Sequence, residues 1–364
     1  MIDTVVLSIP WGKFTILKPE NFQPSIKRLV GKYNNGCTWG KYVQNPTRSD
    51  LKAGNYFPRL TIRDRFNRGI RYTPLRIEFS VPKLLYRNNL KEAKPEDLNN
   101  TIAKLGLRLF QMGVKTTSQT LKTTEVINVH FCRNIYLSDN YTAQYAIKQL
   151  NKLNPSKKLD HNHRHFSNNG QALYFYSTTN QTIFYDKLAD LQQPKKRSID
   201  YHKNDYQQLN MFKRHKKEIL RWETRLTHKN KLLSVFRQLG YKIKPIPFSF
   251  IFNQKLTNQV LQNYWSKFYS PEANTLFQPS NPVDILETLL IKGYKLQKAL
   301  QISILIIIAQ ENGIRALRSI IESKATIRHW YRINKQLHHA LKLLKTNKPL
   351  QFITDIERRI GLYN

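Results

Sequence analysis

The segment Leu75-Arg-Ile-Glu-Phe-Ser-Val81 decides the fold class, because apolar and polar side chains alternate along it. Leu75, Ile77, Phe79 and Val81 fall on one face, and a proline lies on either side of the run. A period of two predicts a β-strand with one buried and one polar face. Such strands favour antiparallel pairing, because the strands of parallel sheets are buried on both faces and are continuously apolar.

The same signal recurs along the first four-fifths of the chain. The predicted strands are 2–10, 57–63, 75–81, 126–131, 172–177, 182–186 and 220–226, and the fifth and sixth are expected to form a hairpin. Amphipathic helical patterns lie between them at 96–112, 141–153 and 229–239. Strands and helices in this order indicate an α+β or α/β fold. The alternation favours the α+β class, with a mainly antiparallel sheet and amphipathic helices on one face.

The chain changes character near residue 271, where a stretch rich in Pro, Ser and Asn begins. Asn281-Pro282 has the pattern of an N-cap followed by proline at the first helical position, and helical patterns continue to the end. We therefore expect two domains, 1–270 with the sheet and an all-helical 271–364. A short helix over 314–322 and a longer one carrying Arg328 and Arg332 fit a helix-turn-helix, although helices that only pack together give the same pattern.

The composition indicates a polyanionic partner. Lys and Arg total 60 against 24 Asp and Glu, which gives a formal net charge of +36. A charge excess of this size repels itself unless a polyanion neutralises it. Because Tyr, Phe and Trp are interspersed among the basic residues, nucleic acid fits better than an anionic membrane. The same composition excludes an acidic disordered protein, a collagen-like repeat and a disulfide scaffold.

Other features predict a cytoplasmic protein with no membrane partner. The longest strongly apolar run, 302–309, is far shorter than the roughly 20 residues of a membrane span. Polar residues such as Asp3 and Lys13 interrupt the first apolar stretch, so no secretory signal is predicted. Cys37 and Cys132 can pair at most once, and reduced thiols in the cytosol are the simpler interpretation.

Two glutamates lie within basic strands. Glu78 follows Arg76 by two positions, and Glu223 lies between Arg221 and Arg225, so each group shares one polar strand face. A solvated face with ion pairs accounts for this pattern. Alternatively, Glu78 and Glu223 are ligands of a hard divalent cation such as Mg²⁺ or Mn²⁺. The residues alone leave both interpretations open.

The triplet Tyr185-Asp186-Lys187 is a candidate for covalent chemistry. If the strand continues through it, Tyr185 and Lys187 face the same way. An ammonium beside a phenol favours the phenolate and can also hold a phosphate. A tyrosine oxygen can attack a phosphodiester and divide a hard cleavage into two transfers through a covalent intermediate. In a chain with 19 Tyr, a triplet of this kind carries little specificity by itself.

The histidines form two groups. His130 shares the polar face of strand 126–131 with Asn128, where it is either a metal ligand or a packed residue that forms hydrogen bonds. A second group alternates over 161–165. An alternating His-x-His pair about twenty residues before a tyrosine is similar to the metal-binding arrangement of nicking endonucleases, but the residues between these histidines are polar, unlike those of a buried strand. We therefore expect an exposed basic loop that faces DNA. The members of this second group are His161, His163 and His165.

Four segments occur in the order found in a known family. They are the opening strand at 1–10, the run at 75–85, the strand at 182–187 and the strand at 220–225. With this order and spacing, the chain resembles the phage and plasmid replication proteins of the gene II/X type, the initiators of filamentous phages. The resemblance spans most of residues 1–245, and the helical tail lies where that family has its C-terminal domain.

The resemblance implies a site-specific nicking enzyme for rolling-circle replication in a bacterial host. Such proteins cut one strand at an origin, become linked to the 5′ phosphate through tyrosine, and leave a 3′ hydroxyl for the host polymerase. Tyr185 would be the nucleophile and Lys187 its electrostatic partner. Glu223 and Glu78 match the glutamates of the late and early strands, with Glu223 the stronger candidate for a metal ligand.

One strand departs from the family pattern. Such proteins usually present an aspartate where this chain has Asn128. Either His130 on the same face compensates, or the neutral ligands at this strand lower the metal affinity or abolish the activity. The implied cofactor is Mg²⁺ or Mn²⁺, and the implied partners are single-stranded or melted origin DNA, a host helicase and the polymerase. The alternatives are a DNA-binding protein without catalysis, such as a repressor or decayed initiator, and an RNA-binding protein. If Tyr185 is not the nucleophile, Tyr201 and Tyr206 are the next candidates.

Basic side chains on strands, loops and the C-terminal helices are expected to hold the DNA backbone. The candidate residues lie on the strands that carry Glu78 and Glu223, in the basic stretch before the Glu223 strand, and on the last long helix. They are Arg76, Arg221, Arg225, Lys213, Arg214, Lys216, Lys217, Arg328 and Arg332.

Overall fold

A computed structural model describes most of the chain. The described residues are 1–26, 40–47, 49–50, 55–67, 70–138, 141–153, 163–167, 170–192, 218–269, 281–344 and 349–362. Several residues named above lie outside these ranges. They are Cys37, His161, Tyr201, Tyr206, Lys213, Arg214, Lys216 and Lys217.

Strands and helices are numbered here in chain order. The strands are β1 (Ile2–Ile9), β2 (Thr15–Ile16), β3 (Gly40–Gln44), β4 (Arg59–Asn67), β5 (Ile70–Tyr72), β6 (Leu75–Ser80), β7 (Val114–Lys115), β8 (Glu125–Tyr136), β9 (His163–Ser167), β10 (Ala172–Tyr176), β11 (Asn180–Asp186) and β12 (Ile219–Leu226). The helices are α1 (Val81–Tyr86), α2 (Leu98–Gln111), α3 (Ser118–Thr123), α4 (Ala143–Leu150), α5 (Lys187–Gln192), α6 (Lys229–Gln238), α7 (Gln254–Phe268), α8 (Pro282–Ile291), α9 (Leu296–Asn312), α10 (Ile314–Lys324), α11 (Ile327–Leu343) and α12 (Gln351–Arg359).

Most strands join one antiparallel sheet in the order β3-β4-β6-β1-β8-β12-β11-β10-β9. β5 pairs with β4, whereas β2 and β7 form a separate two-stranded sheet. β10 and β11 are the hairpin predicted from the aromatic strands, with Tyr176 opposite Gln181 beside the turn. The predicted α+β class is confirmed, and so is the all-helical character of the C-terminal region.

The alternating strands place their apolar side chains on one face of the sheet. In β12, Leu220, Trp222 and Leu226 belong to the main core, which is called the sheet core below. Trp222 packs against Trp265 of α7 with ring centroids 5.6 Å apart. Helices α4, α6, α7 and α12 contribute buried apolar residues to the same core. The opposite face of the central strands is therefore left for the polar side chains.

The short helix α5 lies on that polar face. Leu188 and Leu191 of α5 form a small cluster with Leu90 and with Ile219 of β12. Since Ile219 alternates with Leu220, it points away from the sheet core. This cluster shields part of the polar face from water, which the strand pattern alone did not predict.

The C-terminal helices build a second apolar core, called the helical core below. Its buried residues come from α8, α9, α10 and α11, including Ile285, Ile306 and Trp330. The last helix, α12, does not join it, because Phe352 and Ile356 pack into the sheet core. The region expected as one helical domain over 271–364 thus divides its packing between two cores.

The junction between α9 and α10 requires glycine. Gly313 has a φ of 88°, and a Cβ atom there would lie 3.1 Å from the backbone of Lys152. The two helices are bent by 119° at this residue, and together they reach the length and composition of a membrane span. No single helix within the described ranges is long and apolar enough to cross a membrane.

Candidate active site

A polar cleft of about 260 Å³ lies on the face of the sheet opposite the sheet core. Strands β1, β6, β8, β10, β11 and β12 all supply side chains to it, so it crosses the middle of the sheet. Its lining includes Asp3, Glu78, His130, Tyr185, Glu223 and Arg225.

Three side chains at the base of the cleft can hold a metal ion. Asp3, His130 and Glu223 each offer one ligand atom, and these atoms lie within 4.8 Å of one another. His130 and Glu223 come from the paired strands β8 and β12, where Glu223 is opposite Cys132 and Arg225 is opposite His130. The chemistry of this set, with two carboxylates and one imidazole, suits Mn²⁺ and also accommodates Mg²⁺.

A backbone irregularity brings Asp3 to this face. The pairing of β1 with β8 shifts register between Ile2 and Val5, so that the β1 segment holds one more residue than its partner. A bulge of this kind re-aims a side chain and is common beside active sites. Because of it, the Asp3 carboxylate faces Arg221 and Glu223 although β1 is two strands away from β12.

The hydroxyl of Tyr185 donates a hydrogen bond of 2.7 Å to Oε1 of Glu223. Tyr185 lies opposite Arg221 in the β11–β12 pairing, so it stands diagonally across from Glu223 on the same face. Its ring is partly exposed at the cleft, whereas Glu223 is 1% exposed. The Tyr185 side chain thus borders the cleft, and its buried hydroxyl is bonded directly to a member of the ligand group.

Two arginines neutralise Glu223. Arg221 donates from Nε to Oε1 at 3.0 Å, and Arg225 donates to Oε2 at 2.7 and 2.9 Å. Burial alone would raise the pKa of Glu223, but the charges of Arg225 and Arg221 hold it well below its usual range. The carboxylate is therefore ionised at neutral pH, as a metal ligand must be.

Arg221 is an anchor of the site rather than a DNA contact. Its side chain is 1% exposed and also donates to the carbonyl oxygen of Asn89, to Oδ1 of Asn134 and to Sγ of Cys132. It forms an ion pair of 3.1 Å with Asp3. The expectation that Arg221 holds the DNA backbone is corrected, because α5 and the loop with Asn89 and Leu90 cover this part of the face.

The phenol of Tyr185 is protonated in this state. Burial of its hydroxyl and the nearby charge of Glu223 raise the pKa of Tyr185 well above its ordinary value. Lys187 does not offset this effect, since its Nζ lies 3.0 Å from Asp190 and 5.5 Å from the centroid of the Tyr185 ring. The strand ends at Asp186, so the first turn of α5, not a shared strand face, brings Lys187 near Tyr185.

His130 has the protonation state of a metal ligand. Burial and the charge of Arg225 lower the pKa of His130 to about 4. The imidazole is thus neutral at pH 7, and one ring nitrogen offers a lone pair. The two other predicted ligands lie outside the three-residue group: Glu78 is exposed on the cleft wall, and Asn128 shares the face of His130. The Oδ1 atom of Asn128 is buried without a hydrogen-bond partner among the described residues.

The predicted DNA-contacting arginines fall on two surfaces. Arg225 is 31% exposed at the cleft, and Arg76 lies on the same sheet face beside Glu78. Arg328 and Arg332 are exposed on α11 in the C-terminal region. The α10–α11 pair has the short-helix, break, long-helix order expected of a helix-turn-helix.

The segment expected as an exposed loop is the edge strand β9. His163 and His165 are exposed as expected, but they pair in register with Tyr176 and Tyr174 of β10. Polar residues between them do not prevent a strand here, because an edge strand has no need of a continuous buried face. Both histidines lie on the same side of the sheet as the cleft.

Two site residues were missed by the sequence reasoning. Asp3 was considered only as a polar interruption of an apolar strand, and Arg221 was assigned to the surface. The available signal was the scarcity of acidic residues, which makes a carboxylate inside an apolar strand such as β1 noteworthy. No family model matches the chain, and neither a curated protein nor a solved structure matches it. The resemblance to gene II/X replication proteins therefore stays a prediction.

Proposed function

We propose that this protein is a metal-dependent nicking enzyme that initiates rolling-circle DNA replication. In this proposal it cuts one strand at an origin through a phosphotyrosyl intermediate and can rejoin the ends. The single observation that carries the proposal is the 2.7 Å hydrogen bond between Tyr185 and Glu223, within a group able to hold a divalent cation. A tyrosine hydroxyl beside such a group, on a side chain that borders the cleft, is the arrangement that phosphodiester transfer needs.

The proposed step is one phosphoryl transfer, from a DNA 3′ oxygen to the Tyr185 oxygen. The Tyr185 oxygen forms a bond to phosphorus, and the bond from phosphorus to the 3′ oxygen of the preceding nucleotide breaks. The phenolic proton passes to Glu223, and the 3′ oxygen takes up a proton from solvent. A divalent cation held by Asp3, His130 and Glu223 would polarise the phosphate and offset charge on its oxygens. The 3′ hydroxyl released in this step is then available to a polymerase.

Arg225 connects DNA binding to the basicity of Glu223. As long as both arginines hold Glu223, its low pKa makes it a poor proton acceptor. The side chain of Arg225 is 31% exposed, so it can turn from Glu223 to a DNA phosphate in the cleft. That exchange would remove one of the two arginine partners of Glu223 and raise its basicity when the substrate is in place.

The charge of the molecule supports a nucleic-acid substrate. The net charge is +36, and basic side chains continue along the cleft face onto β4 and β6. Arg59 is opposite Glu78, and Thr61 is opposite Arg76, so these residues share the face of the cleft. Such a surface supplies backbone contacts whose strength falls steeply with salt.

A second candidate is a DNA-binding protein without catalysis. One observation favours it: arginine donors already occupy both oxygens of Glu223, so the carboxylate is satisfied without a cation. In that case the cleft residues form a buried ion-pair network that only stabilises the sheet. Both candidates predict salt-sensitive DNA binding, and they differ in covalent chemistry.

A covalent trapping experiment separates the two candidates. The full chain is incubated with a randomised single-stranded DNA pool and Mg²⁺ or Mn²⁺, with one aliquot labelled at the 3′ end and another at the 5′ end. The proposal expects a denaturant-resistant band that carries only the 3′ label, because the protein joins the 5′ phosphate of the downstream fragment. EDTA and Tyr185→Phe should abolish the band.

Tyr145→Phe is the matched control, since Tyr145 is 40% exposed on α4, which packs on the sheet-core face and so lies on the side of the sheet opposite the cleft. It should leave the band unchanged. No band with either metal would favour the second candidate. A band that persists in Tyr185→Phe would move the nucleophile to another tyrosine, with Tyr201 and Tyr206 the first to test.

A further inference from the structure

Two aromatic pairs lie at the edge of the sheet that β9 and β10 form. His163 pairs across β9 and β10 with Tyr176, and His165 pairs with Tyr174. The ring centroids are 5.3 Å apart in the first pair and 6.2 Å apart in the second, with interplanar angles of 31° and 43°. Both histidines are exposed, and both tyrosines are partly exposed. These four side chains are called the ring platform below.

The ring platform lies on the same face as the candidate active site. Tyr174 is opposite Ile183, and Ile183 is opposite Glu223, so one row of the sheet joins the platform to the ligand group. In the next row, Tyr176 and Gln181 lead to Arg225. At a strand spacing of about 4.8 Å, Tyr174 stands on the order of 10 Å from Glu223.

The surface between platform and cleft is continuous. Tyr174 lines the active-site cleft, and it also lines a shallow depression further out on the sheet. The other residues of that depression are His165, Ser167, Tyr176 and Gln181, so its lining carries no carboxylate. A DNA strand seated in the cleft can therefore extend over the rings without meeting a carboxylate of the described residues.

Rings of this kind suit unpaired bases. A single strand exposes the faces of its bases, which stack on aromatic side chains, whereas a duplex hides those faces inside its own stack. Arg225 stands beside the second row and can hold a phosphate of the same strand. Aromatic rings for the bases, with a basic side chain nearby for the backbone, are the combination found in single-strand binding grooves.

We propose that the ring platform binds the unpaired bases of single-stranded DNA next to the cleavage site. This inference rests on the proposed function, since the same strand continues into the cleft to reach Tyr185. It assigns a contact surface to the melted DNA that the resemblance implies, on the side of the scissile phosphate that lies over β10 and β9. A purely structural role for the rings is the alternative, because cross-strand aromatic pairs also stabilise sheets.

The test compares base-containing and abasic DNA. Binding of the full chain to fluorescein-labelled oligo(dT), and to an oligo(dT) with a central abasic run, is measured by fluorescence anisotropy at one salt concentration. The variant is the double substitution Tyr174→Leu with Tyr176→Leu. Its matched control is Phe166→Leu, because Phe166 lies on β9 but alternates onto the opposite face and is 42% exposed.

The platform predicts that the double variant weakens binding of oligo(dT) by at least about tenfold, given the usual strength of base–aromatic stacking. Binding of the abasic oligonucleotide should be weak in the unmodified protein and almost unchanged by the double variant. Phe166→Leu should match the unmodified protein on both probes. Tyr174→Phe with Tyr176→Phe should bind oligo(dT) normally, because the rings remain. Thermal unfolding of each variant is measured in parallel.

Three results would overturn the platform. One is an equal loss of affinity for both oligonucleotides, which points to lost fold or lost phosphate contacts. Another is no loss at all. The third is a stronger preference for oligo(U) RNA, with the platform effect confined to RNA. The covalent trapping experiment is scored separately. If the double variant loses affinity for oligo(dT) but the unmodified protein forms no covalent band, the ring platform binds bases and the proposed nicking activity is wrong. If the band forms but the double variant binds oligo(dT) normally, the nicking activity is supported and the ring platform is wrong.

Discussion

Arg221 lies 3.1 Å from Asp3 and 3.0 Å from Glu223, so one guanidinium holds both carboxylates of the candidate metal site. It reaches across β8 to do so, because Asp3 and Glu223 come from strands on either side of β8. Burial alone would lower the pKa of Arg221, but the charges around it, including Asp3 and Glu223, raise it well above its ordinary value. The arginine is thus a fixed positive charge held between the two carboxylates.

Replacing Arg221 should destabilise the protein strongly. Arg221→Met leaves two buried carboxylates without their shared partner, and breaking a buried ion pair in this way costs about 3–5 kcal/mol. Arg225→Met removes a partly exposed partner of the same glutamate and should cost much less. Urea unfolding at pH 7 measures both. Equal losses of unfolding free energy in the two variants would contradict the anchoring role of Arg221.

A divalent cation should stabilise the folded protein through Asp3. A ligand that binds only the folded state adds about 2.7 kcal/mol of unfolding free energy at 100 times its Kd. We therefore expect Mn²⁺ to raise the Tm, and Asp3→Asn to remove most of the rise. Glu78→Gln is the control, because Glu78 lines the same cleft but is not one of the three clustered ligands.

Calorimetric titration of Mn²⁺ into both variants gives the affinities directly. A Tm that rises equally in Asp3→Asn and Glu78→Gln would mean that the cation binds elsewhere. If only Glu78→Gln lost Mn²⁺ binding, the cation site would lie on the cleft wall at Glu78 and not at Asp3.

The sequence was sufficient to predict the strands of the sheet and the site residues that share one strand face. The alternation at 75–81 and 220–226 is local, and it fixes which residues share a face, such as Glu223 with Arg225. Two features of the site are not local. The bulge that turns Asp3 inward and the strand order that places β1 beside β8 depend on long-range pairing, which periodicity does not reveal.

The alternation of apolar and polar residues along a strand also does not predict whether a helix covers the polar face. The pattern around Arg221 correctly separates two faces, but it does not say that α5 packs over one of them. The segment 163–167 was expected as a loop because its residues are polar, yet an edge strand tolerates them. In the same way, α12 has the composition of any amphipathic helix, and only tertiary packing assigns it to the sheet core.

Glu92 should make stability depend on pH. It accepts from the amino group of Met1 at 3.2 Å, from Arg133 at 2.8 Å and from the backbone of Asn134 at 2.6 Å, and it pairs with Arg359 at 3.1 Å. Burial alone would raise the pKa of Glu92, but these positive charges and the hydrogen bond hold it well below its ordinary value of 4.5. Its contribution to stability is therefore fully present above that value and is lost as the pH falls below it.

Glu92→Gln should thus lower the unfolding free energy by about 3 kcal/mol at pH 7, where the carboxylate is ionised and paired. The difference from the unmodified protein should shrink steadily as the pH is lowered from 5 to about 3. Glu96→Gln serves as the control, since Glu96 is exposed on the following turn and should change little. Urea unfolding across this pH range is the measurement. A constant difference at every pH would show that Glu92 acts through packing rather than charge.

The two cores should respond separately to substitutions in the C-terminal helices. Ile356 of α12 is 0% exposed in the sheet core, and Ile306 of α9 is 1% exposed in the helical core. Replacing either with alanine should cost about 2–5 kcal/mol, because it leaves a cavity in tight packing. Hydrogen exchange by mass spectrometry should then report faster exchange in β8 and α7 for Ile356→Ala, and in α8 to α11 for Ile306→Ala.

Ile304→Ala provides the control, since Ile304 is 56% exposed on the opposite side of α9 and should leave exchange unchanged in both cores. Faster exchange confined to α8 to α11 in Ile356→Ala would mean that α12 belongs to the helical core after all. Faster exchange throughout the chain in both variants would mean that the two cores unfold as one unit. The expected separation follows from the packing of Phe352 and Ile356 in the sheet core, where the last helix contacts β8, the strand that carries His130.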